Sequence, residues 1–223
     1  SPANKSSCCG VSESGLYRIK EGDIITCKGC KWEGSLGYIA GERYAVSNKH
    51  VLPETGLRVV HRTQPFADGR EVGTVVKTVK WKNPSLKDII LYVFVGRPLP
   101  ANRVDASLIR LDDDVEGESA YQVPRKIVPP KLGDKLYKRG RTTGSTEGVI
   151  LDVNVTIWVD MGGGRRLLFT DVYRFSNKTD PGDSGGINAT DEGIVGITFA
   201  APESGNYGFG IKAINIEREL GHA

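Results

Sequence analysis

Thr179-Asp180-Pro181-Gly182-Asp183-Ser184-Gly185-Gly186 is a stretch dominated by Gly, Pro and Asp. Such a composition makes a tight turn, not the interior of a helix or strand. β-rich segments flank it, Leu167 to Phe175 before and Gly193 to Phe199 after. A serine at the tip of such a turn has an exposed hydroxyl. Gly182 lets the backbone take a conformation a side chain would forbid, so its N–H can point at a ligand together with that of Ser184. Two convergent amides are what the oxyanion of an acyl-transfer transition state requires. A glycine-rich hairpin without chemistry is the plain alternative.

Two further segments decide between these readings. Tyr44-Ala-Val-Ser-Asn-Lys-His50-Val-Leu52 places a histidine just past a strand. Imidazole titrates near neutrality and can activate a serine hydroxyl. His61 lies within a strand and His222 at the C-terminus, so His50 is the candidate base. Arg103-Val-Asp105-Ala-Ser-Leu-Ile-Arg-Leu111 offers a carboxylate to hold the imidazole. Asp88, ahead of Ile89-Ile90-Leu91, is the competing carboxylate.

The order His50, Asp105, Ser184, with the serine inside Gly-Asp-Ser-Gly-Gly, resembles the chymotrypsin-like serine proteases. Arg139-Gly-Arg-Thr-Thr-Gly-Ser-Thr-Glu-Gly-Val149 adds a likeness to the prokaryotic trypsin-like peptidases. The likeness runs from about residue 34 to 220. It implies an all-β fold of two six-stranded antiparallel barrels with a C-terminal helix, and a Ser-His-Asp triad cleaving peptide bonds through an acyl-enzyme. It implies an oxyanion site at the amides of Gly182 and Ser184. It also implies a substrate-binding edge at Thr198, Phe199 and Ala200, and pocket walls near Asn177, Lys178 and Gly208 to Gly210. Lys178 stands where an acidic pocket base would confer trypsin-like choice. An Arg or Lys preference is therefore not expected, and a small or medium apolar residue, with Lys178 in solvent, suits better than an acidic one. Asp183 reads as a carboxylate capping its own turn or pairing with a basic neighbour, and Arg139 and Arg141 receive no role.

The residues themselves support this architecture. Many short alternating segments with regular turns, and one terminal helix-like stretch from Ile211 to Leu220, argue for closed β-structures. The expected division is an arm over 1–33, a barrel over 34–118, a proline-containing linker over 119–131 and a second barrel with its helix over 132–223. The apolar run Asp88 to Val95 is read among the strands.

The 223 residues carry a formal charge of only +3, so composition gives no nucleic-acid signal. No apolar run is long enough to span a bilayer, no signal peptide is visible, and no membrane partner is expected; the compartment stays open. The partner expected is a protein or peptide substrate. Cys8, Cys9, Cys27 and Cys30 leave three readings: disulfides from the arm to Cys27 and Cys30, a structural zinc, or free thiols. Catalysis requires no cofactor on this reading. The rivals are a catalytically silent peptide-binding module and a self-processing assembly protein on the same fold, the latter consistent with a chain that opens on Ser1.

Overall fold

The computed structural model describes residues 15–221. Its first half is a curled antiparallel sheet in the order β3-β2-β6-β7-β8-β5-β4. These strands are β2 (Ile24–Cys27), β3 (Gly34–Ser35), β4 (Ile39–Ala40), β5 (Tyr44–Ser47), β6 (Arg58–Arg62), β7 (Gly69–Thr78) and β8 (Ser107–Leu111). The two outermost strands are the ends of one extended segment. Its start pairs with β2 and its end with β5. Between them Leu36 and Gly37 donate to Asp23 and Val46. The sheet therefore closes through a single stretch, 34–40, as a six-membered barrel. A short parallel pair, β1 (Tyr17–Lys20) with β9 (Val115–Glu118), lies outside it.

The second half is a closed barrel in the order β10-β11-β12-β15-β14-β13. Its strands are β10 (Lys135–Gly140), β11 (Gly144–Asp160), β12 (Arg166–Phe175), β13 (Ile187–Thr190), β14 (Gly193–Ala200) and β15 (Gly208–Lys212). Helix α2 (Ala213–Leu220) follows and buries Ala213, Ile216 and Leu220. Alternation drives the halves together. β6 and β10 bury every second residue, as a strand with one face on a core must.

Three apolar cores result. Ile25, Leu36, Val59, Val72 and Ile109 fill the first barrel, and Leu136, Ile150, Tyr173 and Val195 fill the second. The largest cluster joins Tyr38, Val46, Val104 and Leu108 of the first half to Phe169, Ile187, Ile197 and Ile216 of the second. This shared layer fixes the two barrels against each other and sets the walls of the groove between them.

Three expectations need correction. The arm does not extend to residue 33, because β2 is wholly buried and pairs with β6. The run Asp88 to Val95 is not a strand; helix α1 spans Leu86–Val95. An apolar run alone does not distinguish the two, and here the flanks decide. Ser85 and Asp88 form a reciprocal capping box, and Gly96 ends the helix in the left-handed region at φ 70°. Finally, Cys27 and Cys30 are joined to each other, so they neither tether the arm nor offer thiolates to zinc. The turn that carries Cys30 N–H to Cys27 O at 2.9 Å brings the two Cα atoms to 5.2 Å, within disulfide reach. Cys8 and Cys9 lie outside the described residues.

Candidate active site

β5 ends at Ser47, and the turn Asn48-Lys49-His50 carries the imidazole to the rim of the first barrel. Asn48 Nδ2 donates to the Asp105 carbonyl at 2.7 Å, tying this turn to the chain just ahead of β8. Asp105 is fully buried. Its Oδ1 accepts the His50 backbone N–H at 3.1 Å and its Oδ2 meets His50 Nδ1 at 2.5 Å. A carboxylate here requires the Nδ1–H tautomer and leaves Nε2 as the free base. Burial pulls the His50 pKa down, but the charge and hydrogen bond of Asp105 outweigh it, and the net displacement is upward. Asp88, the rival carboxylate, is spent on the α1 cap, accepting from Ser85 N–H at 2.8 Å. His61 is buried between Tyr17 and Asp23 and has a structural role.

Ser184 sits on the turn between β12 and β13. His50 and Ser184 line the same cleft, of about 640 Å³. The turn is stitched from both sides. Ser184 O accepts from Ser35 N–H at 2.8 Å, Gly182 O from Ser35 Oγ at 2.8 Å, and Thr198 O from Gly185 N–H at 2.7 Å. Asp183 and Gly186 donate their N–H groups to Asp180 O and Asp183 O within the turn. Among the described residues, the N–H groups of Gly182 and Ser184 donate to nothing. Gly182 holds φ +100°, and a Cβ there would lie 2.5 Å from Thr142 Oγ1. The turn thus carries two unspent amides, at Gly182 and Ser184, and a pair of such donors is what an oxyanion requires.

The carboxylate of Asp183 turns away from the cleft into a closed pocket. It accepts from the N–H groups of Thr142 and Thr143 at 3.0 and 3.1 Å, from Asp180 N–H at 3.0 Å, and from Thr143 Oγ1 at 2.8 Å. Lys138 Nζ stands 3.2 Å away, and both side chains are wholly buried. Burial alone would raise the Asp183 carboxyl; the Lys138 charge and these donors reverse it, and the net displacement is downward. A basic partner for Asp183 is what the turn's sequence calls for. Its identity was not legible, since Lys138 lies on β10, 45 residues away in the chain.

Thr198, Phe199 and Ala200 line the cleft. The free strand edge is narrower than expected, because Thr198 already uses its N–H and C=O on Gly186 and Gly185. Beyond it the register with β15 slips between Thr198 and Ala200. Lys178 does not face the cleft. Its side chain is 68% exposed and pairs with Asp180 at 3.6 Å, as a strongly hydrated ammonium favours. Gly208 stands behind the wall, where a Cβ would meet Thr179 Oγ1 at 2.6 Å and the Phe175 ring at 2.7 Å. The sequence reading missed the tip of the β11–β12 hairpin, where Ile157, Val159, Asp160 and Met161 supply the opposite wall. Its signal was the length of β11, which at 17 residues overruns the barrel strands around it.

No protein-family model and no curated sequence matches the chain. The fold is that of the bacterial chymotrypsin-like serine proteases. A chymotrypsin of Cellulomonas bogoriensis superposes with a TM-score of 0.64 at 18% identity, covering 92% of this chain and 97% of its own. Protease A of Thermobifida fusca gives 0.64 at 18% identity over 92% and 96% of the two chains. A protease of Nocardiopsis gives 0.62 at 17% identity over 90% and 95%. Within the described residues no helix is long and apolar enough to cross a membrane.

Proposed function

We propose that the chain is a serine endopeptidase in which Ser184 is the nucleophile, His50 the general base and acid, and Asp105 the residue that orients His50. The observation that carries this reading is the buried Asp105 carboxylate on His50 Nδ1, with His50 and Ser184 on one cleft and two unspent N–H groups, of Gly182 and Ser184, on the serine turn. Ser184 Oγ attacks the peptide carbonyl carbon and yields its proton to His50 Nε2. The carbonyl oxygen, now negative, accepts from Gly182 and Ser184 N–H. His50 then protonates the leaving amine, and the acyl-enzyme is released by water that His50 deprotonates in turn. Each oxyanion donor is worth about 2.7–4 kcal/mol in the transition state.

The cleft also bears on substrate chemistry. Its walls are mainly apolar, from Ile157, Val159, Met161, Phe199 and Phe209, with the carboxylates of Asp160, Asp180 and Glu203 among them. With Lys178 in solvent, this supports an apolar or neutral side chain and disfavours an acidic one. The test is covalent labelling by a fluorophosphonate probe. Wild type is expected to label at Ser184, and Ser184→Ala to label not at all. Equal labelling of the two proteins would sink the assignment, and a folded wild type that never labels would leave a silent binding module.

A further inference from the structure

Helix α1 has no place in either core. Eight of its ten residues are apolar, and none of the ten is buried. Leu86 is 73% exposed, Phe94 80% and Val95 71%; Ile89 and Ile90 are 46% and 47% exposed, and Leu91 is the more sheltered at an intermediate level. Large apolar surface left in water marks an interaction site. The segment is nonetheless well formed. Asn102 clamps its root, accepting from Lys82 N–H at 2.7 Å and donating to Lys82 O at 3.0 Å. The Arg165 guanidinium lies 5.5 Å over the Trp81 ring beside this clamp.

The helix carries its own backbone satisfaction at both ends. Ser85 Oγ accepts from Asp88 N–H at 3.2 Å, Ser85 O from Ile89 N–H, and the N–H groups of Gly96 and Arg97 reach back to Tyr92 O and Leu91 O. These caps pair several of the terminal backbone groups and so lower the cost of moving the helix into an apolar medium. The segment that carries it is rich in cations, of which Lys82 and Arg103 have Glu219 of α2 as an acidic neighbour. From Val79 to Val104 the chain holds Lys80, Lys82, Lys87, Arg97 and Arg103 against the single acid Asp88, although the whole chain carries only +3. The five basic residues are all exposed.

We propose that α1 is a membrane-interface helix that seats the protein on an anionic lipid surface. Two observations select lipid over a protein partner. The apolar residues surround the helix, so a partner packed on one side would leave the rest wet, whereas an acyl layer covers all of it. A second copy would bring the same cations against these, and like charges repel. Anionic headgroups complement the basic collar, whose long side chains can reach outward while the apolar residues sink. At ten residues the helix lies on the bilayer and does not cross it. The charge of the whole chain gave no sign of such a partner, because the cations are concentrated in one excursion.

The test is co-sedimentation of the full chain with vesicles of phosphatidylcholine alone and of phosphatidylcholine with phosphatidylglycerol. Binding is expected to the anionic vesicles and to weaken with added salt. Val93→Glu with Phe94→Glu should abolish it while the thermal melt stays unchanged, since neither side chain is buried. Lys80→Glu with Lys87→Glu should weaken it roughly 25-fold or more, each surface cation being worth about fivefold. The proposal is overturned if the chain stays in the supernatant with anionic vesicles, or if the Val93/Phe94 variant binds as well as wild type. A dimer in sedimentation equilibrium that this variant splits would also overturn it, assigning the helix to a second copy.

Discussion

Lys138→Met is the substitution with the largest consequence for the serine turn. It leaves the Asp183 carboxylate wholly buried with its N–H and hydroxyl donors but no counter-charge. The folded protein can keep an unbalanced charge or take up a proton. Protonating a carboxyl of ordinary pKa 3.8 at pH 7 costs about 4 kcal/mol at 1.36 kcal/mol per unit. Breaking one side of a buried pair costs about 3–5 kcal/mol, which agrees. For a chain of this size the melting temperature should fall by roughly 10 °C or more at pH 7. The sign of the pH dependence follows. Unpaired, the carboxyl has a folded pKa above its unfolded one, so the penalty is largest above the folded pKa and shrinks as pH falls through it toward the ordinary value of 3.8. Adding Asp183→Asn should recover more than half of the loss, because the residual charge is gone. Calorimetry of wild type, both single variants and the double variant at pH 5 and pH 7 measures each arm. If Lys138→Met melts within about 1 kcal/mol of wild type at pH 7, the argument that this pair braces the turn is wrong.

Asp105→Asn should lower kcat by about 10⁴-fold, since an amide cannot hold the Nδ1–H tautomer. The base must be neutral to act, and His50 is displaced above 6.5, so wild-type kcat/KM should rise with pH through a midpoint above that value. In Asp105→Asn burial acts unopposed, and the midpoint should move to lower pH; a limb that stays put would contradict the coupling. Gly182→Val forces a side chain into φ +100° against Thr142 and Arg141, and should slow fluorophosphonate labelling by about 10²–10³ as one oxyanion donor is misaligned. Arg125→Met leaves Glu21, fully buried and bonded at 2.9 and 3.0 Å to that guanidinium, without its cation, and should cost about 3 kcal/mol by denaturant melt.

Local patterns with a mechanism were legible from the chain alone. The Gly-rich turn around Ser184 and the histidine past β5 follow from short-range chemistry, the aspartate ahead of β8 rests on the family likeness, and the structure places His50 on Asp105 and faces His50 and Ser184 onto one cleft. The pairing of Lys138 with Asp183 was hidden because it depends on which strands neighbour each other in the second barrel. Helix α1 could have been found: Ser85 and Asp88 stand three apart, and Gly96 marks its end. The apolar run between them dominated the reading. The Cys27–Cys30 bond was masked by counting four cysteines together, when one tight turn suffices for two of them.

Ser35 belongs to the segment that closes the first barrel, yet it bonds to the turn of the second. Its N–H reaches Ser184 O, its Oγ reaches Gly182 O and receives Arg141 N–H at 2.9 Å, and its carbonyl is held by Ser47. The shape of the Ser184 loop is thus borrowed from a neighbouring lobe. Severed at the connection between lobes, the piece bearing Ser184 would retain the residue but lose the mould that sets it. Reassembly of the two fragments, and not refolding of either alone, would restore the loop.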